Sequence, residues 1–428
     1  MTKPLVVVES PTKVRTIKKY LGQRYSVAAT VGHIKDLPSK EMGIDIERNF
    51  KPKYINIPGK QKVIKSLKQA AGESKDIYLA HDPDREGEAI AWHTADILKK
   101  RGRRFHRVLF HELTKNAVNK AIASPEDLDR NKYRAQQARR ILDRLVGYQI
   151  SPLLWRKVQG GLSAGRVQSV AVRIICERER AIHAFESEEY WSITAHLENN
   201  APPPLTAKLV KRKDKKIKIP DEKSASSIVK ELSGEEFTVE KVQKKTTKRN
   251  PFPPFITSKL QQEAIRKLRF SSKKTMSIAQ QLYEGIDIGP GEPEGLITYM
   301  RTDSTRIAKE AAFEALKLIK ERFGEKYVPE KPRFFKNRKK AQDAHEAIRP
   351  TSVYNTPEKL APYLSKDQLA LYRLIWNRFV ASQMKQAIIN KNSISIRAGS
   401  CLFTASGSSV EFPGFMALYM SVDDEIES

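Results

Sequence analysis

The sequence predicts a multidomain α/β plus α+β chain: an open, mostly parallel sheet at the N-terminus, then helical regions interrupted by β-rich segments. Three observations carry this. At 428 residues the chain exceeds what one hydrophobic core organises and suggests two to four domains. Over roughly the first hundred residues, short apolar runs alternate with helical patterns, as in a parallel sheet covered on both faces. Beyond that, helical periodicity gives way to lysine-dense alternation and later returns.

The first strand is Leu5 to Val8, a continuous β-branched run suited to burial on both faces. Pro11 opens a helix through Leu21. Tyr25 to Val31 reads as a second strand, Gln61 to Ala71 as a helix, and Ile77 to Ala80 as a third strand. A helix from Glu86 to Lys99, a strand at Val108 to Phe110 and a helix near Thr114 to Ala123 complete the series. Tyr133 to Arg180 is helical, interrupted by Ser151-Pro152 and by Gln159 to Gly165. Tyr190 to Glu198 and Leu205 to Ile219 alternate like strands, and the basic, proline-containing run Lys241 to Pro254 reads as a linker. Residues 258 to 285 are helical, and Leu296 to Met300 is a short strand or turn. Further helices fall at Lys309 to Arg322 and Ser365 to Met384, separated by a basic loop, Phe323 to Lys340. Ser393 to Met420 alternates like strands before an acidic end.

Lysine and arginine number 78 against 50 acidic residues, a formal charge of +28. Such an excess favours a polyanionic partner, nucleic acid first. The two cysteines, Cys176 and Cys401, form no metal-like pairing, which fits a reducing cytosol and excludes a cysteine-ligated zinc site. No stretch approaches a membrane span, so no membrane partner is expected. The absence of a G-x-x-x-x-G-K-[ST] loop leaves an ATP-driven mechanism without support.

Candidate chemistry gathers at strand ends. Glu9 ends the first strand, and Asp82-Pro83-Asp84-Arg85-Glu86 follows another. In open parallel sheets ligands collect beyond the carboxyl ends of strands, so four carboxylates converge there and suit Mg²⁺. Asp82 and Asp84 equally suit helix caps, and that alternative stands. In Ile297 to Ser304, period two places Tyr299 and Arg301 on one face if the segment is extended. A phenolic oxygen can attack a phosphodiester while a guanidinium holds the phosphate; ordinary packing of the tyrosine is the competing reading. Asp343 to Arg349 looks superficially like H-E-x-x-H, but Arg349 replaces the second histidine, which argues against zinc. On a helix His345 and Arg349 share a face suited to phosphate, and an ordinary solvated helix face is the equal alternative. Arg139, Arg140, Asp143, Arg144, Tyr148 and Trp155, followed by Gly161 to Ser169, combine cations, aromatic faces and small residues fit for a nucleic-acid strand; an ordinary amphipathic helix with charged outer residues is the competing reading.

With these residues together, the chain resembles the bacterial DNA topoisomerase I family, the type IA topoisomerases. The matching blocks are Leu5-Val-Val-Val-Glu-Ser-Pro-Thr-Lys13, Gly32-His-Ile-Lys-Asp-Leu-Pro38, Asp82-Pro-Asp-Arg-Glu-Gly-Glu-Ala-Ile-Ala-Trp-His93 and Ala138 through Tyr148. Leu162-Ser-Ala-Gly-Arg-Val-Gln-Ser169, Ile297-Thr-Tyr-Met-Arg-Thr-Asp-Ser304 and Ala344-His-Glu-Ala-Ile-Arg-Pro350 follow in the family's order. The resemblance implies a Toprim (Rossmann-like) domain over 1–128 and a helical DNA-binding segment of the base lobe over 129–186. It further implies a β-rich arch segment over 187–257, a helical gate domain carrying Tyr299 over 258–388, and a return to the arch over 389–428. The family usually continues beyond Pro413-Gly-Phe415, so the expectation is that the C-terminal part is absent.

The same resemblance makes Tyr299 the nucleophile of a 5′-phosphotyrosine intermediate, Arg301 the group on the scissile phosphate, with Lys13 and His345 nearby, and Glu9 the general acid. Asp82, Asp84 and Glu86, with Glu9 beside them, become the Mg²⁺ site. His33, Arg139, Arg140, Asp143, Tyr148, Trp155, Ser163, Ala164, Gly165, Arg166, Val167, Gln168, Arg301 and Arg349 become DNA contacts. The implied activity is ATP-independent cleavage and religation of one strand, relaxing negatively supercoiled DNA through its single-stranded segments, by a cytoplasmic, nucleoid-associated monomer. Two alternatives stand: a truncated form that cleaves and rejoins without productive relaxation, and a non-catalytic basic module that binds single-stranded DNA.

Overall fold

The computed structural model describes residues 3–198, 204–289, 293–335 and 346–420. The chain divides into two compact units. The first comprises residues 1–175, 252–383 and 419–428; the second comprises 176–251 and 384–418.

The first unit begins with a four-stranded parallel sheet of β1 (Leu5–Val8), β2 (Ser26–Ala29), β3 (Asp76–Leu79) and β4 (Arg104–Arg107). The strand order is β2-β1-β3-β4. Every side chain of β1 is buried, as its unbroken apolar run requires. Leu5, Val7, Ile77 and Leu79 pack with Ile64, Leu67 and Ala71 of the helix Gln61–Ala71 and with Ala91 and Leu98 of the helix Arg85–Leu98. At about 1.5–3 kcal/mol for each fully buried large aliphatic side chain, this cluster holds the sheet against its helices. The strand order reverses between β1 and β3, and that is where an open α/β sheet leaves a crevice at its carboxyl end. Glu9 and Asp82 flank the reversal.

Two expectations shift here. The strand expected at Val108 to Phe110 lies just before it, at Arg104–Arg107. The helix Arg130–Lys157 runs unbroken through Ser151-Pro152 for 28 residues. Anchors in the turns leading up to the proline offset its lost hydrogen bond: Arg144 and Tyr148 donate to carbonyls of Pro38 and Ser39, and Ser151 accepts from the Ala164 amide.

The remainder of this unit is mainly helical, with helices Thr257–Leu268, Ser272–Glu284, Lys309–Phe323 and Lys366–Ser382. The last carries a complete capping box between Ser365 and Gln368 and buries Leu371, Tyr372, Trp376 and Phe379. The Gly295 to Tyr299 segment is laid against His111 to Leu113 by backbone bonds, Gly295 N–H to Leu113 O (3.1 Å) and Tyr299 N–H to His111 O (2.9 Å). The approach is close: a Cβ on Gly295 would stand 3.0 Å from the carbonyl oxygen of Leu113.

The second unit is an antiparallel sheet in the order Lys215–Lys216, Leu205–Arg212, Cys401–Phe412, Ala387–Ala398, Thr238–Arg249, with Thr194–Leu197 also paired to Leu205–Arg212. The helix Glu222–Leu232 buries Ala225, Ile228 and Leu232 against Ile396 and Phe403. The run Lys241 to Pro254, expected as a linker, is largely strand: Thr238–Arg249 pairs residue by residue with Ala387–Ala398. Its lysines are tolerated because the strand lies at the sheet edge and is almost wholly exposed.

Candidate active site

Helix Pro11–Leu21 starts directly after β1, with Ser10 as its cap and Lys13 in its first turn, so Lys13 points back over the strand end. Its ammonium is only 1% exposed; it is ion-paired with Asp82 and lies 3.7 Å from Glu9. Glu9 in turn accepts from the Asp82 amide at 3.3 Å. Burial, then the neighbouring Asp82 charge, pushes the Glu9 carboxyl up to about 8, against the pull of Lys13. Burial acts on Asp82 in the same sense, but the Lys13 charge and the Glu9 and Lys13 hydrogen bonds outweigh it, and its carboxyl lies below the usual range. Of the two acids, Asp82 is therefore the anion and Glu9 holds a proton at neutral pH.

Asp84 caps the helix Arg85–Leu98, one oxygen accepting from the Gly87 amide at 2.8 Å. Its other oxygen accepts from the Tyr299 hydroxyl at 2.7 Å and faces the Arg301 guanidinium at 3.5 Å. Metal and cap readings of this aspartate are thus not exclusive, since its oxygens face in two directions. Tyr299 and Arg301 do reach one carboxylate, although Leu296 to Met300 is an irregular segment with a single bridge from Ile297 to Pro350. Tyr299 is 3% exposed and meets Tyr283 edge-on at 5.3 Å. Burial, then the charges of Asp82 and Asp84, drives its phenol far above the ordinary range, so it rests protonated.

Glu86 turns away from this trio. It accepts from Gln136 at 3.0 Å and approaches His33 at 3.3 Å; the His33 hydrogen bond, then Gln136, hold its carboxyl down to about 2. Beside it opens a cavity of about 360 Å³ whose walls include His33, Tyr54, His93, Gln136, Arg139 and Arg140. Arg140 grips Asp36 through two parallel bonds of 2.8 and 2.6 Å. Asp143 pairs with Arg166 at 2.9 Å, Tyr148 donates to Ser39, and Trp155 donates to Leu162. Ser163 accepts from Gln168, Ala164 and Gly165 donate to Ser151 and Ser169, and Val167 is exposed. Arg349 does not face this cavity. It is 4% exposed and held by Glu112 at 3.0 Å and Glu346 at 2.9 Å, so its expected place on a nucleic-acid face is taken by an internal ion pair. His345 lies outside the described residues.

Arg107 was not legible from sequence. It is 1% exposed, and its guanidinium donates to the carbonyls of Leu79, His81 and Val108 at 2.8–2.9 Å, to that of Asp82 at 2.6 Å, and to Glu88 at 2.7 Å. Glu88 also accepts from the Asp129 amide at 2.8 Å, which caps the helix Arg130–Lys157. One cation thus fixes the Asp82 loop and ties it to that helix; the sole sequence signal was a charge just before the apolar run Val108 to Phe110. Tyr54, His93 and Gln136 were missed similarly. The Tyr54 hydroxyl, both His93 ring nitrogens and Gln136 Oε1 are buried without a hydrogen-bond partner among the described residues.

Glu9, Asp82, Asp84 and Glu86 offer only carboxylate oxygens, a donor set that suits a hard divalent cation. In this conformation Lys13 stands against Asp82 and Glu9, and Tyr299 against Asp84. Among the described residues no three metal-ligating side chains converge to hold an ion in this conformation; the fit to a divalent cation rests on the donor set alone. Nor is any described helix long and apolar enough to cross a membrane.

Comparison with known proteins matches residues 4–113 to the Toprim domain and residues 127–428 to the DNA topoisomerase family. The fold matches the full-length topoisomerase I from Thermotoga maritima with a TM-score of 0.85 and 43% sequence identity, over 98% of this chain and 68% of that one.

Proposed function

Since this chain belongs to the bacterial DNA topoisomerase I family, we propose that it is a type IA enzyme that cleaves one DNA strand through Tyr299 and rejoins it. The observation that carries this reading is the Tyr299 hydroxyl on Asp84, 2.7 Å away, at the end of the sheet where Lys13 and a protonated Glu9 meet.

In the proposed step the Tyr299 oxygen attacks the phosphorus, its proton passing to Asp84 as the new bond forms. The phosphorus–O3′ bond breaks, and the leaving oxygen takes the proton held by Glu9. The DNA is left with a 5′-phosphotyrosyl end and a free 3′-hydroxyl, and the reverse transfer restores the bond. Arg301, more than half exposed, and Lys13 offset charge on the phosphate. Asp82, Asp84 and Glu86 would hold Mg²⁺, which when bound would supply further charge neutralisation at the phosphate. Because the ester energy stays in the phosphotyrosine, relaxation of negative supercoils needs no ATP. The cavity beside Glu86, with its unpartnered polar groups, is fit to seat an unpaired nucleotide of the same strand. The enzyme would act in the cytoplasm, on nucleoid DNA, as a monomer.

The test is incubation with end-labelled single-stranded DNA and Mg²⁺, followed by denaturation. The wild-type chain should give a covalent adduct and Tyr299→Phe none; an adduct that persists in Tyr299→Phe overturns the assignment. Adduct formation without relaxation of supercoiled plasmid would select cleavage and rejoining without strand passage, while salt-sensitive binding with no adduct would select a binding module.

A further inference from the structure

From the second unit we infer a separate contact for the phosphate backbone of duplex DNA, built on the hairpin Leu205–Lys216 and the start of the helix Glu222–Leu232. The inference rests on the reading that the chain acts on DNA. Between Lys208 and Lys218 seven of eleven residues are basic and one, Asp214, is acidic. That acid is already used, paired with Arg397 at 3.2 Å, and Asp221 is committed to capping the Ser224 amide at 2.7 Å.

A cleft of about 710 Å³ opens here, lined by Arg212, Lys213, Lys215, Lys216, Lys218 and Lys223 among others, with no carboxylate in its walls. Arg212 is paired with Glu231 and Lys218 with Glu188. Lys213, Lys215, Lys216 and Lys223 are exposed and make no ion pair among the described residues. The Arg212 Nε is buried and likewise has no hydrogen-bond partner among them.

The turn is strained. Lys213 and Asp214 hold φ of 51° and 61°, left-handed values that hairpin turns usually assign to Asn or Gly, so a lysine is kept at the tip at an energetic cost. Lysines on an edge strand also discourage edge-to-edge pairing, but that explanation does not reach Lys223, which is on the helix. No aromatic ring lines the cleft, so it offers nothing for unpaired bases to stack on. The backbone of a duplex, whose bases are already paired, is the partner that fits.

The experiment measures binding of the full chain to a fluorescent 30-base-pair duplex across a KCl series. The variant is Lys213→Gln/Lys215→Gln/Lys216→Gln/Lys223→Gln, and an equal charge loss elsewhere, Lys62→Gln/Lys65→Gln/Lys68→Gln/Lys99→Gln, is the control. Each phosphate contact contributes ~0.9 to the slope of log K against log salt, so four lost contacts should flatten it by ~3–4 in the cleft variant alone. An unchanged slope, an equal change in the control, or a change confined to single-stranded DNA overturns the proposal. Adduct formation with a short single-stranded oligonucleotide is measured in parallel: its loss in the wild-type chain would count against the Tyr299 chemistry, not against this contact.

Discussion

Replacing Arg107 by methionine removes in one step the five hydrogen bonds that fix the Asp82 loop and leaves Glu88, 1% exposed, as a buried carboxylate with only the Asp129 amide for support. Breaking one side of a buried ion pair costs about 3–5 kcal/mol. The carbonyls that Arg107 releases add to this wherever water fails to reach them, the Leu79 carbonyl least because it keeps the Val108 amide at 3.1 Å. A loss of about 4 kcal/mol or more is therefore expected, a large share of the 5–15 kcal/mol typical of a domain. Urea unfolding followed by tryptophan fluorescence reports it, because Trp92 lies on the helix that carries Glu88 and stacks on Tyr133 at 5.0 Å. Adding Glu88→Leu to Arg107→Met should recover part of the loss, since no stranded charge then remains. A loss below about 1 kcal/mol, or a double variant worse than the sum of the singles, would refute the view that this pair holds the loop.

Three further outcomes follow from the same geometry. A Cβ on Gly87 would sit 2.2 Å from the carbonyl oxygen of Asp82, whereas one on Gly234 meets nothing within 4 Å; Gly87→Ala should cost about 1–3 kcal/mol in the urea assay and slow adduct formation, and Gly234→Ala should do neither. His93 is 5% exposed, and burial, the first cause, with His33 and Lys35 lowers its folded value to about 4. Its stabilising neutral form is fully present above the unfolded value near 6.5 and lost as pH falls towards 4, about 3 kcal/mol that His93→Gln should flatten in unfolding measured from pH 7 to pH 4. Lys13→Met should strand Asp82, 6% exposed, without its cation, and adduct yield per minute should fall at least tenfold, on the order of 1.4 kcal/mol or more; an unchanged rate would remove Lys13 from the site.

The strand ends were legible because chemistry and fold share a signal there: Leu5 to Val8 is unbroken apolar sequence, and the acids begin where it stops. Tyr299 was harder, because its segment is irregular and owes its position to carbonyls of His111 and Leu113, nearly two hundred residues away in sequence. Composition misled at Lys241 to Pro254, where lysines that resemble a solvated linker occupy an exposed edge strand whose partner lies far along the chain, Lys241 opposite Ser395 and Arg249 opposite Ala387. Local chemistry misled at Pro152, whose cost is offset by anchors on other elements. Arg107 and Arg349 look alike in sequence to any surface arginine; only folding delivers the carboxylates that bury them.

The Tyr299 phenol is shut away, with 3% of the residue's surface open, an aspartate on its oxygen and the His111 carbonyl stitched to its own amide. No phosphate can touch that oxygen until the stitching parts. On the proposed chemistry, selection of a strand is thereby placed ahead of bond breaking: a molecule that cannot separate these segments meets an inert surface, and a stray nucleophile is never on offer.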